Sequence, residues 1–383
     1  MAISPRKKKW MATGIFAVFI VSLIALALSD GFNEYVGVLF ANRYFAHGYA
    51  LAKITSIQIH TLSEYNLTVP VQDLEVQILT GSDVGKNIGI NNEGLIATNY
   101  NQPMHVGEVV VISKSPDDPG TGSYILSDRF RLPSLTLILI GFIVAIIFVA
   151  RWRGFASLLG LGVSGLVLVG FVVPAVIHGA NPLWAVFAGA IVIAVASLYL
   201  AHGFNRKTSV AVLGAVTTVI ASLAMVLVFA YAANVAGIGS EDALSLASNI
   251  NNLNFAAFFM GAVLIGALGV LADVAIGQSA TVQELHDADP EFGPRELYRR
   301  GMSVGREHIA SLVNTLALAY AGTSFPVIFF FVLDPERVPY WSILNGEQIA
   351  DVFIQTIVGS LALVLAVPIT TFLASRFFGK KGT

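Results

Sequence analysis

The sequence predicts an α-helical polytopic membrane protein of about eight spanning helices, with a small extracytoplasmic β-barrel-like domain of the OB or SH3 kind between the first and second spans. Three observations carry this. The 383 residues are 55% hydrophobic and only 12% charged, half the charge of an ordinary soluble domain. Apolar runs near the roughly 20 residues needed to cross a bilayer recur along the chain. One long polar stretch breaks the series, and its periodicity is alternating rather than helical.

The predicted spans are Met11 to Leu28, Leu135 to Val149, Phe155 to Ile177, Leu183 to Ala201, Val210 to Ala233, Phe255 to Ile276, Ile309 to Leu333 and Val352 to Phe372. Lys and Arg collect on the cytoplasmic side of a membrane. With the N-terminus inside, 15 of the 22 basic residues fall in inside segments, among them Arg6 to Lys9, Arg151, Arg153, Arg206, Lys207, Arg299, Arg300 and Lys380. Both termini are therefore expected in the cytoplasm of a cell of bacterial type, with the β domain outside. Trp10, Trp152, Trp184 and Trp341 all fall at predicted membrane edges, where indoles prefer to sit. The first span also resembles a signal peptide, but its apolar run of about 18 residues exceeds the usual h-region. An uncleaved anchor is expected over residues 1–30.

Residues 45–131 form the predicted β domain. Strand-like runs at Ala52 to Ile59, Leu74 to Leu79 and Gly107 to Ser113 are separated by turn signals at Thr80 to Asp83, Asn91 to Gly94 and Ser115 to Gly120. His60 and His105 lack metal-ligand spacing and read as structural. Residues 132–378 form a seven-helix membrane domain with a cytoplasmic loop over 279–307. In that loop Asp289-Pro290 predicts a turn, and Pro294 to Arg300 a short amphipathic helix on the membrane surface, its arginines meeting lipid phosphates or water.

Ionisable groups inside spans are costly and so point to function. Asp273 lies in the sixth span, and Asp273, Gly277, Thr281 and Glu284 share one helical face, with Gln278 beside them. The seventh span opens with Glu307 and His308 and carries Ser311, Asn314 and Thr315. His308, Ser311, Asn314 and Thr315 are donors that an opposed Asp273 would meet. Further along, Pro326 withholds a donor from the carbonyl of Gly322, the kind of break from which transporters build ion sites. Asp273, Gln278, Glu284, Glu307, His308, Ser311, Asn314, Thr315, Gly322 and Pro326 are the candidate transport residues.

The stretch Gly305 to Gly322, with Asp273-Val274-Ala275 and Glu284-Leu285, resembles the YibE/F-like family of membrane proteins. The resemblance implies the same plan: one N-terminal helix, a β-rich extracytoplasmic segment and about seven further helices, in proteins described as membrane proteins or permeases.

The predicted function is a transporter or channel for a small solute, an ion or a proton-coupled species, between the sixth and seventh spans. Hard oxygen and imidazole donors suit a proton or a hard cation. With no cysteine, thiolate metal sites and thiol chemistry are excluded. No phosphate-binding GxxxxGK[ST] segment occurs, so energy would come from a gradient or a partner subunit. No catalysis and no cofactor are expected. The expected partners are the lipid bilayer, an unidentified solute or ion, and a second copy or another membrane subunit, with no nucleic acid given a net charge of −2. Two alternatives stand beside transport. One is a non-transporting scaffold or sensor coupling the β domain to a partner. The other is an intramembrane hydrolase using Ser164 and His202, which must then meet within hydrogen-bond reach.

Overall fold

The computed structural model describes residues 48–64, 67–90, 103–114, 124–250, 253–326, 329 and 339–380. The expected first span lies outside the described residues, as do the turns at Asn91 to Gly94 and Ser115 to Gly120. The chain divides into two compact units, residues 1–148 and 149–383.

The first unit holds five antiparallel strands: β1 (Tyr49–Glu64), β2 (Leu67–Ile78), β3 (Asn87–Ile90), β4 (Val109–Lys114) and β5 (Tyr124–Arg129). Their order in the sheet is β3-β2-β1-β4-β5. Alternation drives the packing, because every second side chain of a strand faces the same way. Ala50, Ala52 and Ile54 of β1, Leu74, Val76 and Ile78 of β2, and Val110 and Ile112 of β4 form one buried cluster. Register shifts in β1 between Ile54 and Ser56, and in β4 between Val111 and Ile112, mark bulges, which bend and twist a sheet. Gln72 is buried and clamps Met104, donating to its carbonyl at 3.2 Å and accepting from its N–H at 2.7 Å. His60 pairs with Asp73 at 3.1 Å and His105 with Glu108 at 3.5 Å.

The two ends of the sheet approach one another, β3 coming close to β5. Beside this approach the β2–β3 turn is tied to β5: the Tyr124 hydroxyl donates to Asp83 Oδ2 at 2.8 Å, while Lys86 holds Oδ1 at 2.5 Å. Hydrogen bonds from Lys86 and then Tyr124 hold the Asp83 carboxyl down at about 2. Burial and this bond push the Tyr124 phenol up to about 12. A carboxyl depressed by folding stabilises the fold fully above its ordinary value of 3.8 and loses that contribution as pH falls toward 2. In the purified full-length chain, pepsin cleavage within residues 49–129 is therefore expected to rise as pH drops from about 4 to 2. Asp83→Asn should raise cleavage already at the upper end and flatten the profile. Identical profiles for the two proteins would remove this tie from the account.

The helices are α1 (Leu132–Val167), running through a π-helical turn at Leu168–Val172 into α2 (Val173–Ile177), then α3 (Pro182–His202), α4 (Arg206–Ala232), α5 (Glu241–Asn249), α6 (Phe255–Ala288), α7 (Pro294–Thr323), α8 (Tyr340–Leu344) and α9 (Glu347–Phe378). Asn181, Asn205 and Asn254 start α3, α4 and α6, each side chain accepting a first-turn N–H at 2.9–3.0 Å, as helix N-caps do. Five helical runs among the described residues are long and apolar enough to cross a membrane: Leu132–Ile177, α3, α4, α6 and α9. Their outward faces carry large apolar side chains such as Leu139, Phe142, Leu213 and Ile220, a surface suited to lipid rather than water. The chain is a multi-pass helical membrane protein.

Two expectations take a different form. The second and third predicted spans lie in the single run Leu132–Ile177, 46 residues long and interrupted at Arg151, whose backbone is non-helical (φ 53, ψ −131). The short surface helix predicted at Pro294 to Arg300 is instead the first two turns of α7, which continues unbroken for 30 residues. Gly301 and Gly305, which separate the two in the sequence, are close-packing points. A Cβ at Gly301 would come within 3.0 Å of Val282 and Thr371 side chains, and one at Gly305 would overlap Val367. Arg299 and Arg300 bond Glu296 at 2.6–3.0 Å, and those bonds hold the Glu296 carboxyl down at about 2.

α6 is the hub of the second unit, packing on α3, α4, α7 and α9, while α7 packs on α6 and α9. At the start of α9, Glu347 Oε1 accepts the N–H groups of Gly237 and Ile238 at 2.7 and 3.2 Å, fastening the segment after α4 to the last helix.

Candidate functional site

The seam of α6, α7 and α9 is built on small residues and one amide. Gln278 of α6 is 2% exposed and donates to the carbonyl of Gly301 on α7 and to Thr371 Oγ1 on α9, both at 2.8 Å. A buried amide needs such partners. Glycines at 301 and 305 let the α7 backbone come close enough to supply them. Around this amide Ile309, Leu312 and Val313 of α7 pack on Leu271, Leu363, Ala366 and Val367.

The same geometry fixes the level of α7. Gly301 lies beside Thr371, Gly305 beside Val367, and Leu316 and Tyr320 beside Gly359. α7 thus runs antiparallel to α9, and its stretch from Gly305 to Leu316 sits alongside the middle of an apolar spanning helix. Seen from α6, Gln278 meets Gly301 and Gly305, while Gly266 meets the Tyr320 hydroxyl. Asp273, between Gly266 and Gln278, therefore comes level with the stretch from Arg306 to Val313.

The candidates fall on two sides of this seam. Gln278 alone points inward and serves packing. Asp273 and Glu284 are exposed and Gly277 and Thr281 half-buried, so the polar stripe on one face of α6 is present. Thr281 donates to the carbonyl of Gly277 at 3.0 Å. The titratable group close enough to act electrostatically on Asp273 is His202 at the end of α3, itself within reach of Lys207 and Arg153. The sequence offers no signal for that proximity, since it involves residues of separate helices.

On α7, Glu307, His308, Ser311, Asn314 and Thr315 are all exposed. Thr315 donates to the Ser311 carbonyl at 3.0 Å. Among the described residues no other element supplies a hydrogen bond to Glu307, His308, Ser311 or Asn314. At the far end, α7 stops at Thr323 and the Ser324 N–H caps the carbonyls of Tyr320 and Gly322. Gly322 and Pro326 are exposed there, and the helix ends where the proline would break it.

Ser164 and His202 are not brought together. The Ser164 hydroxyl donates to the Gly160 carbonyl at 2.9 Å. Gly160 lies against Ser197 and Val172 against Gly189, so α1 and α3 run antiparallel in a register that sets Ser164 about 10 Å along the axis from the level of His202.

What the arrangement offers chemically is a row of oxygen donors, the Asp273 carboxylate and an imidazole, at the depth of apolar helices and, among the described residues, without a hydrogen bond from another element. Against known proteins, the sequence profile of the family described as YibE/F-like protein matches residues 138–380, most of the helical unit and none of the sheet. No curated protein and no solved structure matches.

Proposed function

The chain belongs to the YibE/F-like protein family, and from that premise we propose that it is a permease or channel passing a small ion or protons along the polar faces of α6 and α7. One observation carries the reading: Glu307, Ser311, Asn314 and Thr315 are exposed on a helix that runs beside the apolar middle of α9. Lipid does not satisfy such groups, and polar side chains at membrane depth mark water-filled paths or partners. Asp273 adds a carboxylate on the neighbouring stripe of α6, with His202 within its electrostatic reach. Carboxylate, hydroxyl, amide and imidazole groups suit protons and hard cations.

The eight-span arrangement goes with this reading. At 1.5 Å per residue the 46-residue run Leu132–Ile177 would extend for about 69 Å, more than twice a hydrocarbon core of about 30 Å. Read as two crossings meeting at Arg151, it joins α3, α4, α6, α7, α9 and the apolar run Met11 to Leu28 to make eight. The distribution of Lys and Arg supports cytoplasmic termini and a cell-membrane location, with the β domain on the opposite side. The strand order, with β3 and β5 drawn together beside the Asp83–Tyr124 bond, supports a closed barrel of the OB kind.

Reconstitution tests the proposal. Liposomes carrying the purified chain and a pH-sensitive dye should acidify after an acid pulse, or pass Na⁺, K⁺ or Mn²⁺ under a gradient, faster than empty liposomes. No excess flux of any of these, together with a membrane partner co-purifying in fixed ratio, would favour the scaffold reading instead.

A further inference from the structure

We propose that the outward polar face of α7 is the seam between two copies of this chain, which meet about a two-fold axis along the membrane normal. The seam stands on the chemistry of the face; only its use as an ion path rests on the transport reading. Ser303, Glu307, Ser311 and Asn314 follow one another at spacings of 4, 4 and 3 residues, with Thr315 alongside, so they share one side of the helix. All five are exposed. The opposite side is spent on its own chain: Leu297, Gly301 and Gly305 are buried, and Ile309 and Leu312 pack on the core shared with α6 and α9. Among the described residues α7 packs on α6 and α9 and turns a hydrogen-bonding face away from them, beside the apolar middle of α9.

A face of this kind requires a cover that can hydrogen-bond. The apolar N-terminal run Met11 to Leu28 carries only Thr13 and Ser22 as hydrogen-bonding side chains and has nothing to offer an amide and a carboxylate. A second copy has the complement built in. A two-fold axis along the membrane normal keeps α7 of both copies parallel and brings each residue opposite its own counterpart at its own depth. Asn314 both gives and takes hydrogen bonds, so it pairs with Asn314 of the partner subunit; such amide pairs fix register and partner number in helix assemblies. Ser311 and Thr315 are equally self-complementary. Arg306 stands next to Glu307 and is likewise exposed, so each copy presents both signs at one level. Two such faces enclose a narrow polar seam rather than an oily one, and in a single copy the path along α7 is open to lipid on one side.

The chain has no cysteine, so single cysteines report directly. Asn314→Cys and Ser311→Cys, in full-length protein at low density in liposomes, should give a dimer band after treatment with a short bis-maleimide. Leu213→Cys, on the exposed apolar face of α4, should give only background. In parallel, differently tagged wild-type copies should co-purify, a readout that needs no substitution on α7. Yields at 311 and 314 no higher than at 213 overturn the seam, and do so even if wild-type copies co-purify, since the pair would then form through another face. Cross-linking without ion flux keeps the seam and sinks the path. Flux without cross-linking does the reverse.

Discussion

Asp273→Asn is expected to lower ion flux through the reconstituted protein by about 10–100-fold, the worth of one charge-assisted contact of about 1.5–3 kcal/mol. The substitution keeps the size and planarity of the side chain, removes the charge and turns one acceptor oxygen into an NH2 donor. Among the described residues no hydrogen bond fastens the Asp273 carboxylate, so the fold should not depend on it. A thermal melt within a degree or two of wild type would verify that. His202, the group near enough to act on Asp273, should matter less: His202→Gln should change the pH dependence of flux more than its ceiling. Undiminished flux in Asp273→Asn would take Asp273 out of the mechanism and leave the α7 face to carry the proposal alone.

The largest stability effect is expected from Gly305→Val. Even a Cβ at this position would overlap the Val367 side chain and come within 3.1 Å of Gln278 Nε2. Neither neighbour has room to retreat, since Val367 is 0% and Gln278 2% exposed. Overpacking a tight seam costs about 1–3 kcal/mol, and pushing Gln278 off Gly301 and Thr371 forfeits roughly 1 kcal/mol for each bond lost. Together these come to about 3–5 kcal/mol, a fall in Tm of about 6–20 °C for a unit of this size. Gly277→Ala is the matched control, because nothing lies within 4 Å of the added carbon. Equal melting of the two variants would mean that α6, α7 and α9 do not meet as closely as described.

The reach of the sequence can be judged residue by residue. Lipid imposes a length and a composition on a crossing helix, so α3 and α4 were legible within a few residues, the start of α6 to the residue, and α9 within about six, while α6 runs twelve residues past its apolar limit. The α6 stripe was legible for a similar reason: Asp273, Gly277, Thr281 and Glu284 obey the helical period, and the helix continues far enough past its apolar limit to use it. Gln278 defeated this logic. It stands five residues from Asp273, which at 100° per residue turns it about 140° away, into the seam instead of the stripe. The electrostatic reach of His202 to Asp273 had no local signature, because only tertiary packing brings the end of α3 near α6. In the β unit, β1, β2 and β4 announced themselves by alternating apolar residues. β3 and β5 are short and half-exposed, and they hold their places through ladder pairing and the Asp83–Tyr124 bond. The length of α7 was not read from the sequence, where the surface helix was expected to end at Arg300 and the span to begin at Ile309; Gly301 and Gly305 between them are packing points against neighbours that only the tertiary structure supplies.

The central claim is that water or a polar partner, not lipid, covers the outward face of α7 at membrane depth. Single cysteines at positions 311, 314 and 315, compared with 312 on the core side and 213 on the apolar face of α4, test this through their rates of reaction with a membrane-impermeant maleimide in intact liposomes. Rapid labelling at 311, 314 and 315 with slow labelling at 312 and 213 is the predicted result. Labelling at the three polar positions as slow as at 213, with no bis-maleimide dimer at 311 or 314 either, would contradict the account, because these side chains would then be sealed in hydrocarbon.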